Sequence, residues 1–206
     1  MAASVLVLTT NYDCGSQSTS TWASKLQEDL IGLGHICLLL DGTALCRGGL
    51  SLQDAVECVD YVVYFGHGLQ NEWIALPALG NRPSIPLVDS ASVHILRGRK
   101  IYACCCWSVT GLGAAYANRF NCGEYIGYDQ PFGFEKDNEN AFRDVVIDSV
   151  AAFVQGDPAV RVVNNLAGEW DRLSNAFSQG KLKYRRNAIQ AAYVANNNKQ
   201  RIRYVP

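Results

Sequence analysis

The sequence predicts an α/β protein of three layers, in which a mostly parallel central sheet is covered by helices on both faces. Two patterns carry this expectation. Short, uninterrupted apolar runs rich in β-branched residues recur along the first two thirds of the chain, and stretches with helical apolar spacing fall between them. The 206 residues, 49% of them hydrophobic, suffice for one domain with a sizeable core.

Ser4 to Thr10 reads as a buried first strand, followed by a polar loop from Asn11 to Ser20. Thr19 to Leu33 places Trp22, Leu26, Leu30 and Leu33 on one helical face, and Gly34 stands where a helix stops. His35 to Leu40 is the second strand, Asp41-Gly42 a turn, and Leu52 to Val59 a short helix. Asp60 to Phe65 forms the third strand and ends at Gly66-His67-Gly68; Leu69 to Asp89, rich in Pro and Gly, reads as a loop with at most a small hairpin. Ser90 to Leu96 suits a short helix, Lys100 to Cys105 a fourth strand, Leu112 to Phe120 a helix and Glu124 to Tyr128 a fifth strand. Right-handed crossovers then give a parallel sheet. From Asn138 the pattern turns helical, with Phe142, Val145, Val146, Val150 and Phe153 on one face and Gly156-Asp157-Pro158 as a break. Val160 to Phe177 and Arg185 to Asn198 read as two further helices, so residues 1–155 form the principal domain and 156–206 a helical C-terminal extension packed on it.

The formal charge of −1 hides an asymmetry. From Lys181 onward there are seven Lys or Arg and no acid, whereas residues 1–180 carry eleven basic and nineteen acidic side chains. The basic tail is the candidate docking surface for an activating protein partner; nucleic acid is not expected to bind. Its removal is expected to alter activation more than folding. No stretch reaches the roughly 18 apolar residues needed to span a bilayer, and no secretory signal pattern occurs near Met1, so a cytoplasmic protein is expected. Eight cysteines without framework spacing, three of them consecutive, suit reduced thiols. The triplet has neither C-x-x-C spacing nor a partnered histidine, so no metal is expected, and no other cofactor is implied.

In an open α/β sheet, reacting groups gather beyond the carboxyl ends of the strands, where loops converge and helix N-termini point. That rule selects Asn11–Ser20, His67, Cys104–Ser108 and Asp129. A histidine between two glycines at a strand end is exposed, and a cysteine at a strand-to-helix turn gains thiolate character from the helix N-terminus and a nearby imidazole. Cys106 as nucleophile, His67 as proton carrier, and the backbone N–H groups of Gly68 and Cys106 as oxyanion donors would together perform acyl transfer.

At these residues the sequence resembles the caspase-like superfamily of cysteine peptidases (clan CD), and within it the bacterial CHAT-domain proteases most closely. The shared signature is an apolar strand ending in His-Gly, then an apolar strand ending in a small residue, Cys, any residue and often Ser, Thr or Gly. Here the two halves are Tyr61-Val62-Val63-Tyr64-Phe65-Gly66-His67-Gly68 and Ile101-Tyr102-Ala103-Cys104-Cys105-Cys106-Trp107-Ser108. The likeness covers about residues 4–155 and implies the caspase-hemoglobinase-like sandwich, a cysteine endopeptidase acting on protein substrates, and activation by a partner or by processing. CHAT-like relatives often work in bacterial defence. Alignment on Cys-Trp-Ser favours Cys106 as nucleophile; Cys105 is the alternative if the strand ends one residue early, and Cys104 shares the face of Cys106.

Tyr125-Ile126-Gly127-Tyr128-Asp129 looks like the caspase segment in which a Ser or Gly, an aromatic residue and an arginine line the primary pocket, with Asp129 in place of the arginine. With Tyr128 lining it and Asp13 as a second acid, such a pocket would prefer Arg or Lys before the cut. Two other readings remain. An inactive caspase-like module would serve interaction or regulation. A flavodoxin-like nucleotide-binding domain would require a glycine-rich loop after the first strand, and Asp13-Cys14-Gly15-Ser16 supplies neither G-x-G-x-x-G nor a P-loop lysine.

Overall fold

Apolar runs too short for helices and free of polar breaks become strands, buried on both faces where they lie inside a parallel sheet. The computed structural model describes residues 2–45, 51–120, 123–181 and 187–206. The elements are β1 (Ser4–Thr9), α1 (Cys14–Gly32), β2 (Ile36–Asp41), α2 (Gly42–Leu45), α3 (Leu52–Glu57), β3 (Tyr61–Phe65), β4 (Gly68–Leu69), β5 (Glu72–Leu76) and β6 (Ile85–Asp89). They continue with β7 (Lys100–Cys104), α4 (Ala114–Phe120), β8 (Tyr125–Tyr128), α5 (Glu139–Val154), α6 (Ala159–Ser178), α7 (Ala188–Arg201) and β9 (Ile202–Val205). The main sheet has the order β2-β1-β3-β7-β8-β9, with every neighbouring pair parallel except β8 and β9. The expectation of a mixed α/β protein with a mostly parallel sheet therefore holds, and all five anticipated strands are present.

Strand alternation divides the core in two. Val5, Val7, Val63, Phe65, Tyr102, Cys104, Ile126 and Tyr128 face α1, α5, α6 and α7, where Trp22, Phe142, Trp170 and Phe177 pack. Leu6, Leu8, Val62, Tyr64, Ile101, Ala103, Cys105 and Tyr125 face the other way, against α3, α4 and the small sheet, where Val56, Trp73, Leu112 and Tyr116 pack. No described helix is long and apolar enough to cross a membrane.

Three local expectations change. The first helix begins at Cys14, not Thr19, because Asp13 is an N-cap: its carboxylate accepts from the Ser16 N–H at 2.8 Å, and the Ser16 hydroxyl accepts from the Asp13 N–H at 2.9 Å. This reciprocal pair satisfies helix-end donors and draws most of the expected loop into α1. Residues 68–89 form a three-stranded antiparallel sheet, β4-β5-β6, in place of a loop. Its buried Trp73 stacks on Tyr64 of β3 at 4.7 Å, a contact between residues too far apart in sequence to be anticipated from pattern.

The tail is the third difference. Arg185 and Arg186, at the start of the expected last helix, lie outside the described residues, as does Lys183; α7 runs from Ala188 and passes directly into β9. β9 pairs antiparallel with β8, from Tyr125 opposite Val205 to Tyr128 opposite Ile202. Ala191, Ala195 and Ile202 are buried in the same core as Trp170. The tail therefore builds the sheet edge, and its removal exposes core. Truncation after Gly180 is expected to abolish cooperative unfolding, and Ile202→Ala to cost about 2–4 kcal/mol, both read from urea denaturation followed by circular dichroism.

Candidate active site

The register of the parallel strands assembles the site. Phe65 pairs with Cys104 across β3 and β7, so the turns that follow them emerge side by side. Gly68 measures their closeness: a Cβ there would lie 2.5 Å from the Cys106 carbonyl oxygen and 2.8 Å from the Cys105 sulfur, too near for any side chain. Only glycine lets the two turns touch in this way. His67, Cys105 and Cys106 line one small cleft with Gly15, Thr19, Phe132 and Phe134.

His67 is held from three sides. Its carbonyl accepts from the Ile74 N–H at 3.0 Å and lies 2.8 Å from the hydroxyl of buried Tyr64, which ties it to the small sheet. Tyr12 stacks on the imidazole with ring centres 5.5 Å apart. The Asp13 carboxylate takes Nε2, with Oδ2 at 2.9 Å and Oδ1 at 3.1 Å. Partial burial pushes the Asp13 carboxyl up, but hydrogen bonds from the Ser16 main chain, His67 and the Ser16 hydroxyl outweigh it and hold the group below the usual carboxylate range. The helix cap and the imidazole thus share one carboxylate.

The triplet is sorted by the strand's end. Cys104 and Cys105 are 0% and 1% exposed, on opposite faces of the sheet, and burial raises both thiols well above the ordinary range. Cys106 is only partly buried and sits in the turn before Trp107, whose φ of 50° is left-handed. A non-glycine residue in that region is uncommon and marks a sharp chain reversal. Buried Ser108 braces the reversal: its hydroxyl accepts from the Tyr128 N–H at 3.1 Å and lies 3.3 Å from the carbonyls of Ala103 and Cys105. A π-helical turn, Val109–Gly113, leads from there into α4.

The expected lowering of the Cys106 thiol is not what its surroundings favour in this conformation. Burial raises the Cys106 thiol, and main-chain hydrogen bonding at Phe132 and at Cys106 itself recovers only part of the shift. Its S–H donates to the Phe132 carbonyl at 3.7 Å.

The acids expected to line a substrate pocket each have a partner. Asp129 pairs with Arg203 of β9 at 3.1 Å, Asp13 pairs with His67, and Tyr128 is 0% exposed within the core. Asp129 and Tyr128 are not among the residues lining the cleft. The physical reason is the unanticipated β9, which covers β8 and brings Arg203 to Asp129. Conversely, Tyr12, Phe132, Phe134 and the role of Asp13 as the partner of His67 were not foreseen. The Asp13-x-x-Ser16 spacing was a readable capping signal, whereas the two phenylalanines carry no local pattern.

The six described cysteines are free, and the described residues hold no cluster of His, Cys, Asp and Glu suited to a metal ion. No protein-family model matches the chain, and no curated protein matches it.

Because the folded thiol titrates above its ordinary value, less thiolate exists at any given pH than in the unfolded chain, where a cysteine titrates near about 8.5. Iodoacetamide labelling of Cys106, followed by peptide mass mapping, is expected to show a midpoint at higher pH in the native protein than in urea.

Proposed function

We propose that the chain is a cysteine peptidase of the caspase-like class, with Cys106 as nucleophile and His67 as proton carrier. The observation that carries this reading is the meeting of the His67-Gly68 turn and the Cys105-Cys106 turn at one cleft beyond adjacent strand ends. It matches the edge of the sheet at which α/β proteins place their chemistry.

With Nε2 held by Asp13, the neutral imidazole keeps its proton there and Nδ1 is left to act as the base. His67 accepts the thiol proton as the Cys106 sulfur bonds to the scissile carbonyl carbon. The developing oxyanion is met by the N–H groups of Gly68 and Cys106. Collapse breaks the C–N bond, and His67 passes its proton to the departing amine, leaving a thioester. Water, deprotonated by the same imidazole, hydrolyses the thioester to a carboxylic acid and restores the thiol. Asp13 orients the ring and stabilises the transient imidazolium, as a positioning residue. The substrate is a protein, and the covered thiol fits an enzyme activated by a partner or by processing. A preference for Arg or Lys rested on Asp13 and Asp129; both have cationic or imidazole partners, so the proposal carries no such preference.

The buried, protonated thiol favours one second reading, an inactive module of the same fold that serves interaction. The nucleotide-binding reading has less support: the Asp13 carboxylate occupies the N-terminus of α1, where a phosphate would meet like charge.

Cleavage of a peptide library by wild type and by Cys106→Ala, Cys105→Ala and His67→Ala separates these readings. Turnover should vanish in Cys106→Ala, fall about 10²–10⁴-fold in His67→Ala and persist in Cys105→Ala. A peptidyl thiol-directed warhead that labels Cys106 no faster than exposed Cys58 would instead support the inactive module.

A further inference from the structure

The residues between β8 and α5 do more than connect them. Phe132 and Phe134 enter the wall of the cleft, Phe132 packing edge-on to Trp22 at 6.3 Å and Phe134 against the same indole at 4.9 Å. The stretch is bonded to the cysteine turn at two points, Trp107 N–H to the Gln130 carbonyl at 3.3 Å and Cys106 S–H to the Phe132 carbonyl at 3.7 Å. A polypeptide segment therefore lies against the sulfur that the proposed reaction must expose.

What holds that segment is the C-terminal helix. Asn198 of α7 is 1% exposed, and its amide grips both main-chain groups of Gly133: Oδ1 accepts from the Gly133 N–H at 3.3 Å, and Nδ2 donates to the Gly133 carbonyl at 2.8 Å. Asn187, just before α7, donates to Glu135 at 3.3 Å and to Asp137 at 3.1 Å. The Asp129 N–H donates to the Arg201 carbonyl at 2.9 Å, beside the Asp129–Arg203 ion pair. Thus six contacts from residues 187–203 reach the 129–137 segment, and two contacts from that segment reach the Cys106 turn. A buried asparagine whose amide satisfies a neighbouring peptide group on both sides is a directional clamp, because an apolar side chain of similar size would leave both Gly133 groups without those partners.

We propose that residues 130–135 are a latch over Cys106, held shut by the C-terminal helix through Asn198, and that the thiol becomes available only when this latch lifts. The inference rests on the reading of Cys106 as the reactive sulfur and adds a means of regulation. The tail then controls the nucleophile from the sheet edge without touching it. Any event that draws α7 away from Gly133 opens the site, and a substrate that enters the cleft must displace Phe132.

The test uses the full chain and reads thiol access rather than turnover. Iodoacetamide labelling of Cys106 in the wild type should be slower than that of exposed Cys58, and the Gly133 amide should exchange its hydrogen slowly. Asn198→Ala should speed Cys106 labelling and Gly133 exchange together, each by about tenfold, with Cys58 unchanged. Asn198→Asp, which retains the acceptor but loses the donor, should fall between. An unchanged Cys106 rate in folded Asn198→Ala overturns the latch; so does a wild type in which Cys106 labels as fast as Cys58, a measurement that stands even if the variants fail to fold. Faster labelling without peptide cleavage would leave the latch standing and defeat the peptidase reading. Equal cleavage by wild type and Asn198→Ala would do the reverse.

Discussion

The parallel pairing of β3 with β7 is the constraint on which the rest of the molecule depends. With Phe65 beside Cys104, the two strands end at the same level, and the chain has no choice but to bring His67-Gly68 and Cys105-Cys106 into contact. The strands are buried on both faces, so a slip of one residue would exchange the two cores, moving Tyr64 into the place of Phe65 and Cys105 into that of Cys104. Register is therefore secured by hydrophobic burial on both sides of the sheet, and the geometry of the cleft inherits that rigidity.

Around this contact the same groups serve structure and candidate chemistry. Asp13 caps α1 and holds the His67 ring; Tyr64 completes the core and steadies the His67 carbonyl; Ser108 links β7 to β8 and braces the turn that presents Cys106. Sharing of this kind couples the fold to the site. A substitution at Ser108 or Tyr64 would shift the atoms lining the cleft by disturbing the core, and one at Asp13 would loosen both a helix end and an imidazole.

Cys106 is partly covered in this conformation. Cys106 lies beneath the stretch that follows β8, its thiol raised by burial, while the C-terminal helix and strand hold that stretch from outside. A covered, protonated thiol resists adventitious oxidation and alkylation, since the thiolate is the reactive form. Under the proposed reading, activity would require movement of a segment whose anchors are hydrogen bonds, aromatic contacts and one ion pair, interactions weak enough individually to be exchanged for others.

Sequence alone was enough for the five parallel strands, because continuous apolar runs bounded by glycine and polar residues have few alternatives to a place in a parallel sheet. It was also enough to bring His67 and Cys106 into consideration, since reacting groups concentrate at strand ends, and strand ends are punctuated locally. The tertiary structure decided which of Cys104, Cys105 and Cys106 keeps access to solvent, because that depends on where β7 stops and the left-handed Trp107 turns the chain. It decided the partners of Asp13 and Asp129, charges whose meaning is set by His67 and Arg203, 54 and 74 positions away in sequence. It also made a polar tail into the sheet's last strand. A short strand such as Ile202–Val205 has little pattern of its own and is stabilised by the β8 edge it pairs with, which no local reading of its residues contains.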